Sequence, residues 1–357
     1  MIRPLIVIVS FFALAILSCV DAQTIEVSLD GEISVRGKPI YWDQHSVVFL
    51  ERDGRLVTFS PADAKKFRKL SDRFSSLSQA ELRGKLMREF GSAFEVSGTG
   101  QYLVVHPAGQ RDRWAGRFEQ LYRRVVHYFR ARGFSTNRPE FPFIAIVLPS
   151  QESYEKYLRR QKVDLGFNSL GYYDLASNRI HLYDVTEGRT DSSDWQINAG
   201  TIIHEAVHQT AHNIGIHQRD GDEPLWLVEG IGTLFEAAGV WDSRQHQTLH
   251  DRVNQRQLEN YRRLVDSTSS LGLLKQQIAT DDLFSRKTNL AYAHAWAMTF
   301  FLTEQEPRRF AELIQQLNRR QAFGRYTAKE RIADFQKVFG SDLQMFDARM
   351  QRFLETL

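Results

Sequence analysis

His204, Glu205 and His208 stand in the order His-Glu-Ala-Val-His, the HExxH pattern. Positions four apart on a helix share one face, so both imidazoles can reach a single metal ion while Glu205 projects toward the ion's open side. That geometry suits zinc, and a catalytic zinc takes three protein ligands while leaving one position for water. Glu229 is the best third ligand. It follows a loop containing Asp220, Gly221 and Asp222 and a helix start marked by Pro224, so a second helix can lie against the first and present its carboxylate. His212 competes poorly, because a separation of eight residues from His204 puts it ~12 Å along the helix axis. The pattern HExxHxxGxxH is excluded: it needs Gly at 211 and His at 214, where the chain has Ala211 and Ile214.

HExxH specifies only three of five positions, so the weight comes from its pairing with Trp226-Leu227-Val228-Glu229-Gly230 after twenty intervening residues. This combination resembles the gluzincin class of zinc metallopeptidases. The longer run HEAVHQTAHNIG…PLWLVEGIGTLFE resembles a secreted bacterial family catalogued as a domain of unknown function. The likeness is strongest over 201–236, weaker over about 101–302, and absent from the N-terminal part.

The resemblance implies one zinc ion per chain on His204, His208 and Glu229, with peptide or protein as substrate. Zinc lowers the pKa of its water toward about 7 and polarises a carbonyl. Glu205 then acts as general base and passes the proton to the leaving amine. Gluzincins often draw an oxyanion donor from a downstream helix, and Ala291-Tyr292-Ala293-His294 offers Tyr292 first and His294 second. An aromatic helix face packed in the core accounts equally well for either. Glu236 and Thr233 are candidates to orient the histidines, and Trp226 to pack against the zinc helix. A hairpin, 171–174 and 179–183, precedes that helix and is the candidate edge for a substrate strand; His181 within it is not assigned to the metal. Aminopeptidases of this kind carry an upstream GxMEN-type motif, which is missing here and leans the expectation toward an endopeptidase. Two alternatives stand beside this reading: a non-catalytic envelope scaffold, and a zinc hydrolase acting on a cell-wall amide. Glu205 speaks against the scaffold, since a structural zinc site needs no base beside its ligand.

The chain of 357 residues has room for two or three domains, and its net charge of +3 is mild. Basic and acidic residues intermix, including Arg308, Arg309, Arg319, Arg320 and Arg325, so no nucleic-acid footprint emerges. Residues 1–22 read as a secretory signal, with Arg3, an apolar run from Leu5 to Leu17 and small residues to Ala22. Cleavage after Ala22 gives a secreted or periplasmic protein. Ile16-Leu17-Ser18-Cys19 resembles a lipobox, which makes a lipidated Cys19 the alternative, and an uncleaved anchor is a third option. Cys19 is the only cysteine, so the mature chain has no disulfide. No later apolar run is long enough to cross a bilayer, and oligomeric state is not legible.

The fold expected is α+β: a small N-terminal antiparallel β-module, a gluzincin-like mixed sheet with zinc-binding helices, and a helical C-terminal part. Alternation over 24–59, with turns at Asp30-Gly31 and Asp53-Gly54, predicts four or five strands of an accessory module over 23–70. Residues 71–98 supply a linker and a helix opened by a Ser78/Glu81 capping box, leaving 99–357 as the metallopeptidase domain. There, 101–105 and the continuous apolar run 143–148 predict strands, the latter central. Trp114, Phe118, Leu121, Tyr122, Val125 and Phe129 predict a helix packed on the sheet, and 151–160 a charged one. Residues 191–194 cap the zinc helix and Gly215 ends it. Helices at 244–265, 290–302, 308–317, 328–339 and 343–354 close the chain.

Overall fold

The computed structural model describes residues 23–357 apart from 31–32, 110, 164–169, 186–193, 243 and 266–268. The expected signal segment with Cys19, the Asp30-Gly31 turn in part, and cap residues 191–193 lie outside the described residues. Two compact units emerge from the way the chain packs.

The first unit comprises the described residues up to Lys85 together with Glu140–Pro142 and Ala176–Asn178. Alternating side chains fold as β1 (Thr24–Leu29), β2 (Ser34–Trp42), β3 (Val47–Glu51) and β4 (Leu56–Phe59). Val27, Val35, Val47, Phe49 and Phe59 form their buried face. After a 3₁₀ turn at Pro61–Asp63, β5 (Ala64–Ser71) pairs antiparallel with β1, giving the order β4-β3-β2-β1-β5. Sequence reasoning ended the sheet at Phe59. β5 reads AKKFRKLS and is exposed at every position after Ala64, so the alternation that marks a half-buried strand is missing.

Asp53 is buried at the β3–β4 turn, where its carboxylate meets the Lys85 ammonium and accepts the Arg55 N–H (3.2 Å). Burial alone would raise its pKa, but Lys85 and Arg55 outweigh that and hold it below the ordinary value. A depressed native pKa contributes stability that is fully present above about pH 4 and is lost as pH falls through the native value. Asp53→Asn is therefore expected to cost about 1–3 kcal/mol at pH 7 and less in acid. Urea unfolding at neutral and acid pH checks this; an equal loss at both would deny the pair a charge-dependent role.

In the second unit, α1 (Gln79–Phe90), which begins in the first unit, opens on the expected capping box. Ser78 N–H and Oγ–H donate to Glu81 Oε2, and Glu81 N–H donates back to Ser78 Oγ. There follow β6 (Phe94–Gly98), β7 (Tyr102–Pro107), α2 (Arg111–Ala131), β8 (Phe143–Leu148), α3 (Gln151–Gln161), β9 (Gly171–Asp174) and β10 (Arg179–Tyr183). The sheet order is β6-β7-β8-β10-β9, with β8 parallel to β7 and β10 and antiparallel pairs at both edges. The fully buried β8 is central, as its unbroken apolar run predicts.

The rest is helical: α4 (Asp194–Ile214), α5 (Leu225–Phe235), α6 (Ala238–Trp241), a 3₁₀ turn at His250–Arg252, α7 (Gln255–Leu264), α8 (Ser270–Ala279), α9 (Asp282–Arg286), α10 (Thr288–Gln305), α11 (Pro307–Leu317), α12 (Ala328–Phe339) and α13 (Leu343–Glu355). The single helix expected over 244–265 is not formed. Thr248 and Asp251 bond each other's backbone in a local turn, and Asn254 accepts from Gln257 N–H (3.3 Å) to start α7 afresh. Short polar side chains here compete with helical bonding and win. Among the described residues no helix is long and apolar enough to cross a membrane.

Candidate metal centre

α4 places Ile203, Val207, Ala211 and Ile214 in the main core, which leaves His204, Glu205 and His208 on other faces of the helix. α5 returns against it and meets α10 closely. α5 has no capping side chain of its own: Pro224, which marks its start, stands at the N-cap. The cap comes from elsewhere in the chain. Leu225 N–H donates to Asp281 Oδ1 (2.9 Å), and the buried Arg331 binds Asp281 Oδ2 (2.9 Å) and Asp222 Oδ1 (3.3 Å). The start of the Glu229 helix is thus fixed by residues far along the chain.

Ligand atoms of His204, His208 and Glu229 all lie within 4.8 Å of one another, the one such group of three among the described residues. Glu229 Oε2 is 3.3 Å from His204 Nε2 and 3.7 Å from His208 Nε2. His204 Nδ1 donates to Glu236 Oε1 (3.0 Å), which makes Nε2 the nitrogen that would turn to a metal once its own proton is displaced. Glu236 is held in turn by Asn254, whose Nδ2 donates to Glu236 Oε2 (2.9 Å) and Thr233 O (3.0 Å). Two imidazole nitrogens and a carboxylate match a zinc donor set.

The packing leaves no slack. A Cβ at Gly232 would lie 2.7 Å from His204 Cε1 and 3.0 Å from His208 Cε1, so only glycine lets α5 come this near both rings. Gly232→Ala is expected to weaken zinc binding by about 10–100-fold, as loss of a ligand-orienting contact does, while the protein stays folded. Competition against a chromophoric chelator measures this; unchanged affinity would contradict the crowding.

Electrostatics sort the acids. Burial opposes the charged His204, yet Glu229, Glu236 and Glu205 outweigh it and hold this imidazole well above its usual value. Burial likewise opposes the charged Glu229, but His208 and His204 pull it well below the usual range. Glu205 goes the other way: burial raises it, against the pull of both histidines. Its Oε2 accepts the Tyr173 N–H of edge strand β9 (2.6 Å).

Tyr292, on α10, interacts with Glu229, and burial together with that negative charge raises its phenol, so it stays protonated at neutral pH. His294 points elsewhere. It is fully buried, its ring stacks on Tyr261 at 6.2 Å, and both ring nitrogens lack hydrogen-bond partners among the described residues. Residues two positions apart on one helix are turned about 200° from each other, so Tyr292 and His294 cannot both face the same site. His212 bonds the His208 carbonyl (2.9 Å) beside Tyr173 and His217, outside the ligand group. Thr233 spends its hydroxyl on the Glu229 and Gly230 carbonyls rather than on a histidine. His181 is buried between Tyr172 and Tyr157, and burial pulls it down to about 3. Trp226 is buried with its ring edge-on to Phe335 of α12. Sequence reasoning missed Gly232, Asn254 and the Tyr173 N–H. Asn254 is eighteen residues from Glu236 and carries no local signal of the contact.

Comparisons with known proteins give the following likenesses. Residues 198–324 match the family described as "Protein of unknown function (DUF1570)". A stretch of 173 residues, 46 % of this chain, is 27 % identical to glutamyl aminopeptidase of Homo sapiens, and 174 residues are 28 % identical to glutamyl aminopeptidase of Bos taurus. In both cases the matched stretch spans 16 % of the relative's own length.

Proposed function

We propose that the protein is a zinc-dependent metallopeptidase, exported through residues 1–22 to the periplasm, the envelope or the medium. The observation that carries this reading is the convergence of His204, His208 and Glu229 with Glu205 alongside, unligated and facing the sheet edge. Zinc held by the three ligands supplies Lewis-acid polarisation of a carbonyl and acidification of water.

The chain supplies the rest. Glu205 takes the proton of the attacking water and delivers it to the leaving amine, a task suited to a carboxylate whose pKa burial has raised. Tyr292, kept protonated, donates to the developing oxyanion. β9 is the last strand of its sheet among the described residues, and the substrate backbone adds to it as a further strand, taking the Tyr173 N–H from Glu205.

The likeness to an aminopeptidase favours a second reading in which the bond cut is N-terminal. Peptide libraries with free and acetylated N-termini, analysed by mass spectrometry, separate the two. Internal cuts in acetylated peptides establish an endopeptidase; release of single residues from free peptides alone establishes the aminopeptidase. Products only from cell-wall material would replace both with an amide hydrolase.

A further inference from the structure

Outside the metal centre, α2, α6 and the segment up to the 3₁₀ turn enclose an open groove of about 540 Å³. Five of its lining residues are arginines and one, Asp242, is a carboxylate. Arg124 pairs with Asp242 (3.2 Å), Arg132 and Arg252 share Glu304 (3.1 and 2.8 Å), and Arg123 pairs with Glu119 (2.9 Å). Three carboxylates therefore serve four of the five arginines, and the five guanidinium charges exceed those carboxylates by two. Among the described residues no carboxylate pairs with the exposed Arg244, nor with His127 on the same wall. Trp241 also lines the groove, and its indole N–H is buried without an acceptor among the described residues.

The groove is thus rich in donors and poor in acceptors, and it contains no lysine. Guanidinium forks match the planar geometry of carboxylates, and two of them are held in place by aromatic rings. Arg132 lies 3.7 Å from the Tyr128 ring centroid and Arg124 5.1 Å from that of Trp241. The same stacking covers faces on which nucleobases would otherwise lie, which disfavours a nucleic acid. The volume is far more than a single small anion fills.

We propose that this groove binds an acidic peptide segment, with Arg123 and Arg244 as its exposed contacts. The site is separate from the ligand group, so the inference does not depend on catalysis. The test is fluorescence anisotropy of labelled hexaglutamate with the full-length protein carrying Glu205→Gln, compared with labelled hexaglutamine and with inorganic tripolyphosphate as competitor. Hexaglutamate is expected to bind, hexaglutamine not, and binding is expected to weaken as salt rises from about 50 to 500 mM. Arg123→Gln with Arg244→Gln is expected to weaken binding about tenfold, whereas Arg159→Gln, on the exposed face of α3, leaves it unchanged. Circular dichroism of each variant separates loss of binding from loss of fold. Equal binding by wild type and the double variant, or none at low salt, would overturn the assignment. Displacement by tripolyphosphate at far lower concentration than by unlabelled hexaglutamate would overturn the peptide in favour of a phosphate ligand.

Discussion

Glu205→Gln is expected to keep its zinc and to lose peptide hydrolysis by about 10²–10⁴-fold, the range a positioned general base contributes. The substitution keeps size and shape. The amide oxygen of Gln can still accept the Tyr173 N–H that now ends on Glu205 Oε2, so β9 and α4 stay in register. What disappears is the capacity to take a proton. Because Glu205 is not among the three converging ligands, metal content should be unchanged, and a variant that retains full hydrolysis would remove Glu205 as the base. Metal analysis and initial rates on one preparation give both readouts.

Glu229→Ala is expected to lose both properties. It removes the one anionic ligand and leaves two imidazoles, so zinc affinity should fall by more than the 10–100-fold typical of losing an orienting partner. It also deprives Tyr292 of the carboxylate beside it. The fold should survive, because Leu227, Ile231, Leu234 and Phe235 on the same helix are fully buried and untouched. Thermal unfolding with and without zinc reads this directly: wild type gains stability by mass action, about 4 kcal/mol at a thousandfold excess over the dissociation constant, and the variant should gain little. A variant that still gains the full amount would show that the metal binds elsewhere.

The candidate metal-binding group was legible because each part has a local signal. His204 and His208 share a helix face through their spacing, and Glu229 sits in an apolar helix whose start is marked by Pro224. The central strand β8 and the hairpin β9–β10 were legible for the same reason. What escaped is non-local. β5 is charged and exposed, and only its partner β1 makes it a strand. The turn at 248–254 replaced a helix because short polar side chains captured its backbone. Asn254 behind Glu236, and Asp281 with Arg331 at the head of α5, belong to the site through tertiary contacts alone. The sequence ranked Tyr292 ahead of His294 only by resemblance, and the rotation of α10 separates them.

Metal content tests the central claim most directly. Elemental analysis of the purified protein beside His204→Ala, each assayed on a mixed peptide library, is expected to give about one zinc per chain in the wild type. In the variant both zinc and cleavage should be lost. Absence of bound metal in the wild type even after zinc is supplied would contradict the account, and would leave His204, His208 and Glu229 as a buried polar cluster without catalytic use.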